Sequence, residues 1–134
     1  MHYLTLDEVI FLHDDFILTY GGSSGIRDFG LLESAIFRSQ ASFGGTDLYP
    51  TIFDKAAALL HGILFNHPFV DGNKRTAIGA AAAFLAKNGW SLKAKLEEVV
   101  AFPLAIEKTR PDIDTIALWL KEHSKKEKAK AVWK

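Results

Sequence analysis

The sequence predicts an all-α fold, a compact bundle of about six helices around a buried, alanine-rich central helix, with a small hairpin flap as the main departure. Apolar residues recur at helical spacing through most of the chain. Glycine, proline and helix-capping residues cut that pattern into segments of ordinary helix length. The run from Ala77 to Ala86 is apolar nearly all round, which suits a helix buried on every side, and its small side chains let neighbouring helices approach closely.

Taken in order, Thr5 and Glu8 form a T-x-x-E capping box ahead of a first helix. Its apolar face is Leu6, Val9, Ile10, Phe16, Ile17 and Tyr20, and Gly21-Gly22 closes it. His13, close to that face, reads as a structural histidine. "GGSSGIRDFG" is a loop in which Asp28 caps a short helix through Leu32 and Ile36. "ASFGGTDLYP" is a second loop, and Gly44-Gly45 is the turn signal for the hairpin. A longer helix begins near Thr51, with Asp54 in its first turn and Ile52, Ala56, Leu59, Leu60, Ile63 and Leu64 on its face. Pro68 stops it. The alanine-rich helix follows from about Asn73 to Asn88, ended by Gly89, and "WSL" is a brief extended piece. Two more helices are expected, one over 96–108, bent or interrupted by Pro103, and one from Asp112 to His123. The domain is thus expected over 1–124, with 125–134, part of "SKKEKAKAVWK", as a charged and frayed tail.

The 134 residues suffice for one domain with a real core. Formal net charge is zero, which argues against a general nucleic-acid binder. The chain has no cysteine, so disulfides, thiolate catalysis and cysteine-ligated zinc are excluded. "MHYLTLDEV" lacks the pattern of a secretory signal, and no apolar run is long enough to span a bilayer. A soluble, cytoplasmic protein without membrane or direct nucleic-acid partners is the expectation.

The chemistry concentrates in "HPFVDGNKRTA", His67 to Ala77. A helix start already carries roughly half a positive charge, so Lys74 and Arg75 there cost about 0.3–1 kcal/mol each if exposed. The arrangement becomes favourable when a phosphate docks on the unpaired N–H groups, with Gly72 allowing the tight turn and Asn73 following it. An isolated Lys-Arg pair reads equally well as two solvated cations. Asp71 fits a Mg²⁺ ligand beside a polyphosphate, and it fits a helix N-cap as well. His67 suits a general base taking a proton from a hydroxyl, although a lone histidine is more often packed or solvated. Phe69 reads as the anchor that pins the loop to the core. Base, metal carboxylate and anion cradle are together the parts of phosphoryl or nucleotidyl transfer. No Walker loop, H-E-x-x-H or G-x-S-x-G is present, and His61 with His67 would make a poor metal pair.

At these residues the chain resembles the Fic/Doc family, whose motif H-x-F-x-[D/E]-G-N is matched by His67, Phe69, Asp71, Gly72 and Asn73. It is closest to the Doc (death-on-curing) branch, in which the motif continues as Lys74, Arg75, Thr76 and Ala77 do here. "YLTLDEV", "GIRDFGLLESA", "ASFGGTDLYPT" and "FLAKNGW" extend the likeness over most of 3–90. The resemblance implies the toxin of a type II toxin–antitoxin module. Such a toxin is a kinase moving the γ-phosphate of ATP to a Thr or Ser hydroxyl of a translation factor, elongation factor Tu, and so blocking protein synthesis. It also implies His67 as base, Asp71 as Mg²⁺ ligand, Gly72 and Asn73 as the anion nest, and Lys74 and Arg75 as phosphate grips. The loop 41–50 corresponds to a flap that lines up a target segment.

Adenylyltransferases of the same fold carry Gly after the Asn and a second Arg three residues beyond the first, where this chain has Lys74 and Ile78. That favours phosphate transfer over AMP transfer. No Glu has Ser or Thr four residues before it, so the family's self-inhibitory motif is missing. Inhibition is then expected in trans, by a Phd-like antitoxin that folds against the domain. A non-catalytic binding module and a phosphodiester hydrolase are the competing classes.

Overall fold

In a computed structural model, residues 1–128 are described. The element order is α1 (Leu6–Tyr20), α2 (Phe29–Phe37), a 3-10 turn (Arg38–Gln40), β1 (Ser42–Phe43), β2 (Thr46–Asp47), α3 (Ile52–Asn66), α4 (Asn73–Lys87), β3 (Trp90–Leu92), α5 (Leu96–Thr109), α6 (Ile113–Glu122) and β4 (Ser124–Lys126). The all-α bundle predicted from periodicity is the observed architecture.

Helix starts follow from local capping chemistry. The Thr5 hydroxyl accepts from the Glu8 N–H and the Glu8 carboxylate accepts from the Thr5 N–H, so α1 opens on a complete capping box. Thr51 and Asp54 close the same reciprocal pair at α3. Asp28 caps α2 and Asp112 caps α6 through single N–H acceptances. Of the bend or interruption expected at Pro103, the interruption does not occur: α5 continues through it.

α3 and α4 share the centre of the domain. α4 packs on α1, α3 and α5, while α3 is covered by α2, α4 and α6. Ala77, Ala80 and Ala81 on α4 and Leu60, Ile63 and Leu64 on α3 are fully buried. α3 approaches the α2 backbone closely at Gly62, where an added Cβ would meet the Ala35 Cα at 3.0 Å. Antiparallel β1 and β2 form the hairpin flap around Gly44-Gly45. Lys55 ties it down: nearly inaccessible in α3, its Nζ donates to Asp47 Oδ2 at 3.0 Å.

The C-terminal region departs from expectation. β4 pairs antiparallel with β3, Trp90 opposite Lys126 and Leu92 opposite Ser124, so Lys125 and Lys126 are strand residues and not a frayed tail. Backbone pairing needs no apolar side chains, which is why the charged sequence concealed it. The remainder of that expected tail, 129–134, lies outside the described residues.

Gly62→Val is expected to destabilise the domain by about 1–3 kcal/mol, because the neighbour it meets is α2 backbone. A lowered urea midpoint with an unchanged slope is the readout, and an unaltered midpoint would contradict the close α2–α3 contact.

Candidate active site

The site is built on the reversal between α3 and α4. α3 ends on His67, a non-glycine residue in the left-handed conformation (φ 47°, ψ 55°). Arg27 caps this end, its Nε donating to His67 O at 2.6 Å and its Nη2 to Asn66 O at 2.8 Å. The loop after α1 is joined to the reversal by main-chain bonds. Arg27 and Asp28 N–H groups reach Pro68 O, and the Val70 N–H reaches Gly25 O.

Phe69 is buried and lies flat on the His13 ring, centroids 3.7 Å apart. His13 Nε2–H donates to Asp71 O at 2.7 Å, so a histidine that reads as structural is a support of the motif itself. Asn73 is also committed to the loop. Its Oδ1 accepts from Phe69 N–H at 3.0 Å and its Nδ2 donates to Phe69 O at 2.9 Å, both buried. Oδ1 and one Nδ2–H of Asn73 are therefore committed to the loop, while its backbone N–H belongs to the start of α4.

Gly72, at φ 79°, is the N-cap of α4 and supplies no side-chain cap. A Cβ there would meet Ile17 Cδ1 at 3.2 Å. The first helical bond of α4 runs from Thr76 N–H to Gly72 O, so the N–H groups of Asn73, Lys74 and Arg75 precede the hydrogen-bonded ladder. Asp71 is not the N-cap. Its Oδ2 accepts from Ser23 N–H at 3.1 Å and its Oδ1 from Gly72 N–H at 2.8 Å. These two bonds hold the carboxyl below the usual aspartate range, so they stabilise the loop at neutral pH and weaken as pH falls through the lowered value.

The two cations take different partners. The Arg75 guanidinium lies over the Tyr20 ring, 3.9 Å from its centroid. Lys74 Nζ is 3.4 Å from Glu107 Oε1, and His67 Nε2 is 3.6 Å from Glu107 Oε2. The His67 side chain is 50% exposed and so accessible to a reactant. His61 belongs to another cluster, its Nδ1 accepting from Arg38 Nη1 at 2.7 Å. His67, Asp71, Lys74 and Arg75 line a cavity of about 680 Å³ together with apolar residues, Ile78 and Val99 among them.

With this geometry in place, residues 3–85 match the family model described as "Fic/DOC family". The chain belongs to the Fic/DOC family. Among Fic/DOC relatives it is 48% identical over 102 residues to "Toxin Doc" of Mycolicibacterium smegmatis, covering 75% of this chain and 78% of that one. It is 38% identical over 89 residues to "Protein kinase doc" of Escherichia phage P1, covering 66% and 70% of the two chains. Glu107 lies outside the span matched to the family. Neither Glu107 nor Arg27, Ser23 and Tyr20 stands out in the sequence, because their roles depend on contacts between distant segments.

Asn73→Ala leaves the Phe69 N–H and C=O buried without partners and is expected to cost roughly 2–4 kcal/mol. Denaturant unfolding checks this, and near-normal stability would show that the turn is held by other means.

Proposed function

We propose that this chain is the toxin of a type II toxin–antitoxin module and a kinase. It transfers the γ-phosphate of ATP to a Thr or Ser hydroxyl of a translation factor, elongation factor Tu. The observation that carries the reading is the start of α4, where unpaired N–H groups and two cations face the same cavity as an accessible imidazole. The names of the two relatives, one a toxin and one a protein kinase, support it.

In this mechanism Lys74, Arg75 and the N–H groups of the α4 first turn grip the phosphates. His67 accepts the proton of the acceptor hydroxyl as that oxygen bonds to the γ-phosphorus, and the bond to the β-phosphate oxygen breaks to release ADP. Asp71 fits a Mg²⁺ ligand because it is ionised and each of its oxygens has only one short bond, to a backbone N–H. Among the described residues no three His, Asp or Glu side chains gather around a metal, so phosphate and water would complete the shell. Bound there, Mg²⁺ would offset phosphate charge. The hairpin flap, tethered through Lys55, is suited to align an extended target segment.

The partner in this reading is a Phd-like antitoxin acting in trans. A cytoplasmic location follows from the translation target, and no helix among the described residues is long and apolar enough to cross a membrane. Transfer of AMP is the second reading, since the same cradle serves either phosphorus. Lys74 and Ile78, at the positions where adenylyltransferases carry Gly and Arg, favour the kinase.

ATP labelled at the γ position is expected to mark the acceptor, and α label is not. His67→Ala should reduce transfer by at least about a hundredfold while the fold persists. Transfer of α label would replace the kinase by the adenylyltransferase, and full activity without the imidazole would remove the base. Asp71→Asn is expected to weaken Mg²⁺-dependent nucleotide binding roughly tenfold or more, read by calorimetry with and without the metal. Equal Mg²⁺ dependence in both proteins would contradict its assignment as ligand.

A further inference from the structure

Glu107 is the residue at this site that neither the motif nor the family match accounts for. It projects from α5, and its two carboxylate oxygens reach the Lys74 ammonium and the His67 imidazole. Its side chain is 27% exposed, against 46% for Lys74 and 50% for His67, so it is the most enclosed of the three. Both distances exceed the 2.7–2.9 Å or so of a charge-assisted hydrogen bond. The Lys74 contact is therefore an ion pair and the His67 contact a close approach, and both occupy space without locking the geometry.

A phosphate oxygen bound to Lys74 competes with Glu107 Oε1 for the same ammonium charge. A hydroxyl delivering its proton to Nε2 must come within about 3.2 Å of an atom that Glu107 Oε2 already faces. Arg75 lies over the Tyr20 ring and not against a carboxylate. Phosphate can therefore meet Arg75 and the helix N–H groups first and contest Lys74 afterwards.

We propose that Glu107 is the built-in counter-ion of Lys74, lying against His67, and is displaced when a nucleotide phosphate takes Lys74. Its departure also clears the Glu107-facing side of the half-exposed imidazole, where the acceptor hydroxyl meets Nε2. Glu107 is then a positioning residue that links phosphate binding to the approach of the acceptor. This inference rests on the assignment of the α4 N-terminus as a phosphate site.

The test is calorimetric binding of MgATP to the full chain as wild type, Glu107→Gln, Lys74→Ala and the double variant, with Glu107→Ala as a second probe of the same position. Glu107→Gln is expected to bind MgATP about threefold to tenfold tighter, the worth of a partly exposed ion pair. In the Lys74→Ala background the gain should shrink below about twofold, because nothing is left to be released. A purely structural role for Glu107 would not make its effect depend on Lys74. If wild type binds MgATP and both Glu107 variants bind equally or more weakly, the inference is overturned and the phosphate site stands. A gain that persists undiminished without Lys74 overturns it too, by showing general repulsion in place of displacement. If neither wild type nor any Glu107 variant binds MgATP, the phosphate site itself fails.

Discussion

The chain reverses between two buried helices, and it must do so without leaving buried peptide groups unpaired. Phe69 sits at the centre of that problem: its ring belongs to the core, which drags its own N–H and C=O out of reach of water. Asn73 answers both groups with one amide, and His13 holds the Asp71 carbonyl. Asn73 is also the first residue of α4, so the same clamp that satisfies the turn fixes where the helix starts and which way its unpaired N–H groups point. The geometry offered to an anion is inherited from core packing.

Charge at that helix start is managed from a distance. Lys74 and Arg75 stand at the unfavourable end of the α4 dipole, and each is answered by a different element: Glu107 from α5 for the first, the Tyr20 ring at the end of α1 for the second. Asp71 is oriented by Ser23, again from the segment after α1. The end of α1 with the segment after it, and α5, thus converge on one short loop. Lys74 and Arg75 are set beside Asp71 and Glu107 there, so the protein tolerates cations that would otherwise repel each other.

Much of this was legible in the sequence because much of it is local. Thr5 with Glu8, Asp28 before a short amphipathic run, and Gly44-Gly45 between Phe43 and Thr46 are each complete within a few positions, and each marks the element it signals. The family motif was legible for the same reason, being contiguous. What escaped was non-local or a choice between partners. Asn73 could have faced an anion or the loop, and only the turn geometry decides for Phe69. Glu107 gains its meaning from a helix packed against α4 much later in the chain. "SKK" has no side-chain pattern to announce a strand, yet its backbone completes a pair with "WSL". Lys55 in a buried helix face looks like an error until Asp47 on the hairpin is seen beside it.

The central claim is that the first turn of α4 is a phosphate cradle facing His67. A crystal structure of the chain with Mg²⁺ and a non-hydrolysable ATP analogue tests it most directly. The account predicts phosphate oxygens on the Asn73 to Arg75 N–H groups and on Lys74, the metal at Asp71, and the terminal phosphate within reach of an acceptor held by His67. A nucleotide bound elsewhere, with Lys74 and the helix N–H groups untouched, would contradict it.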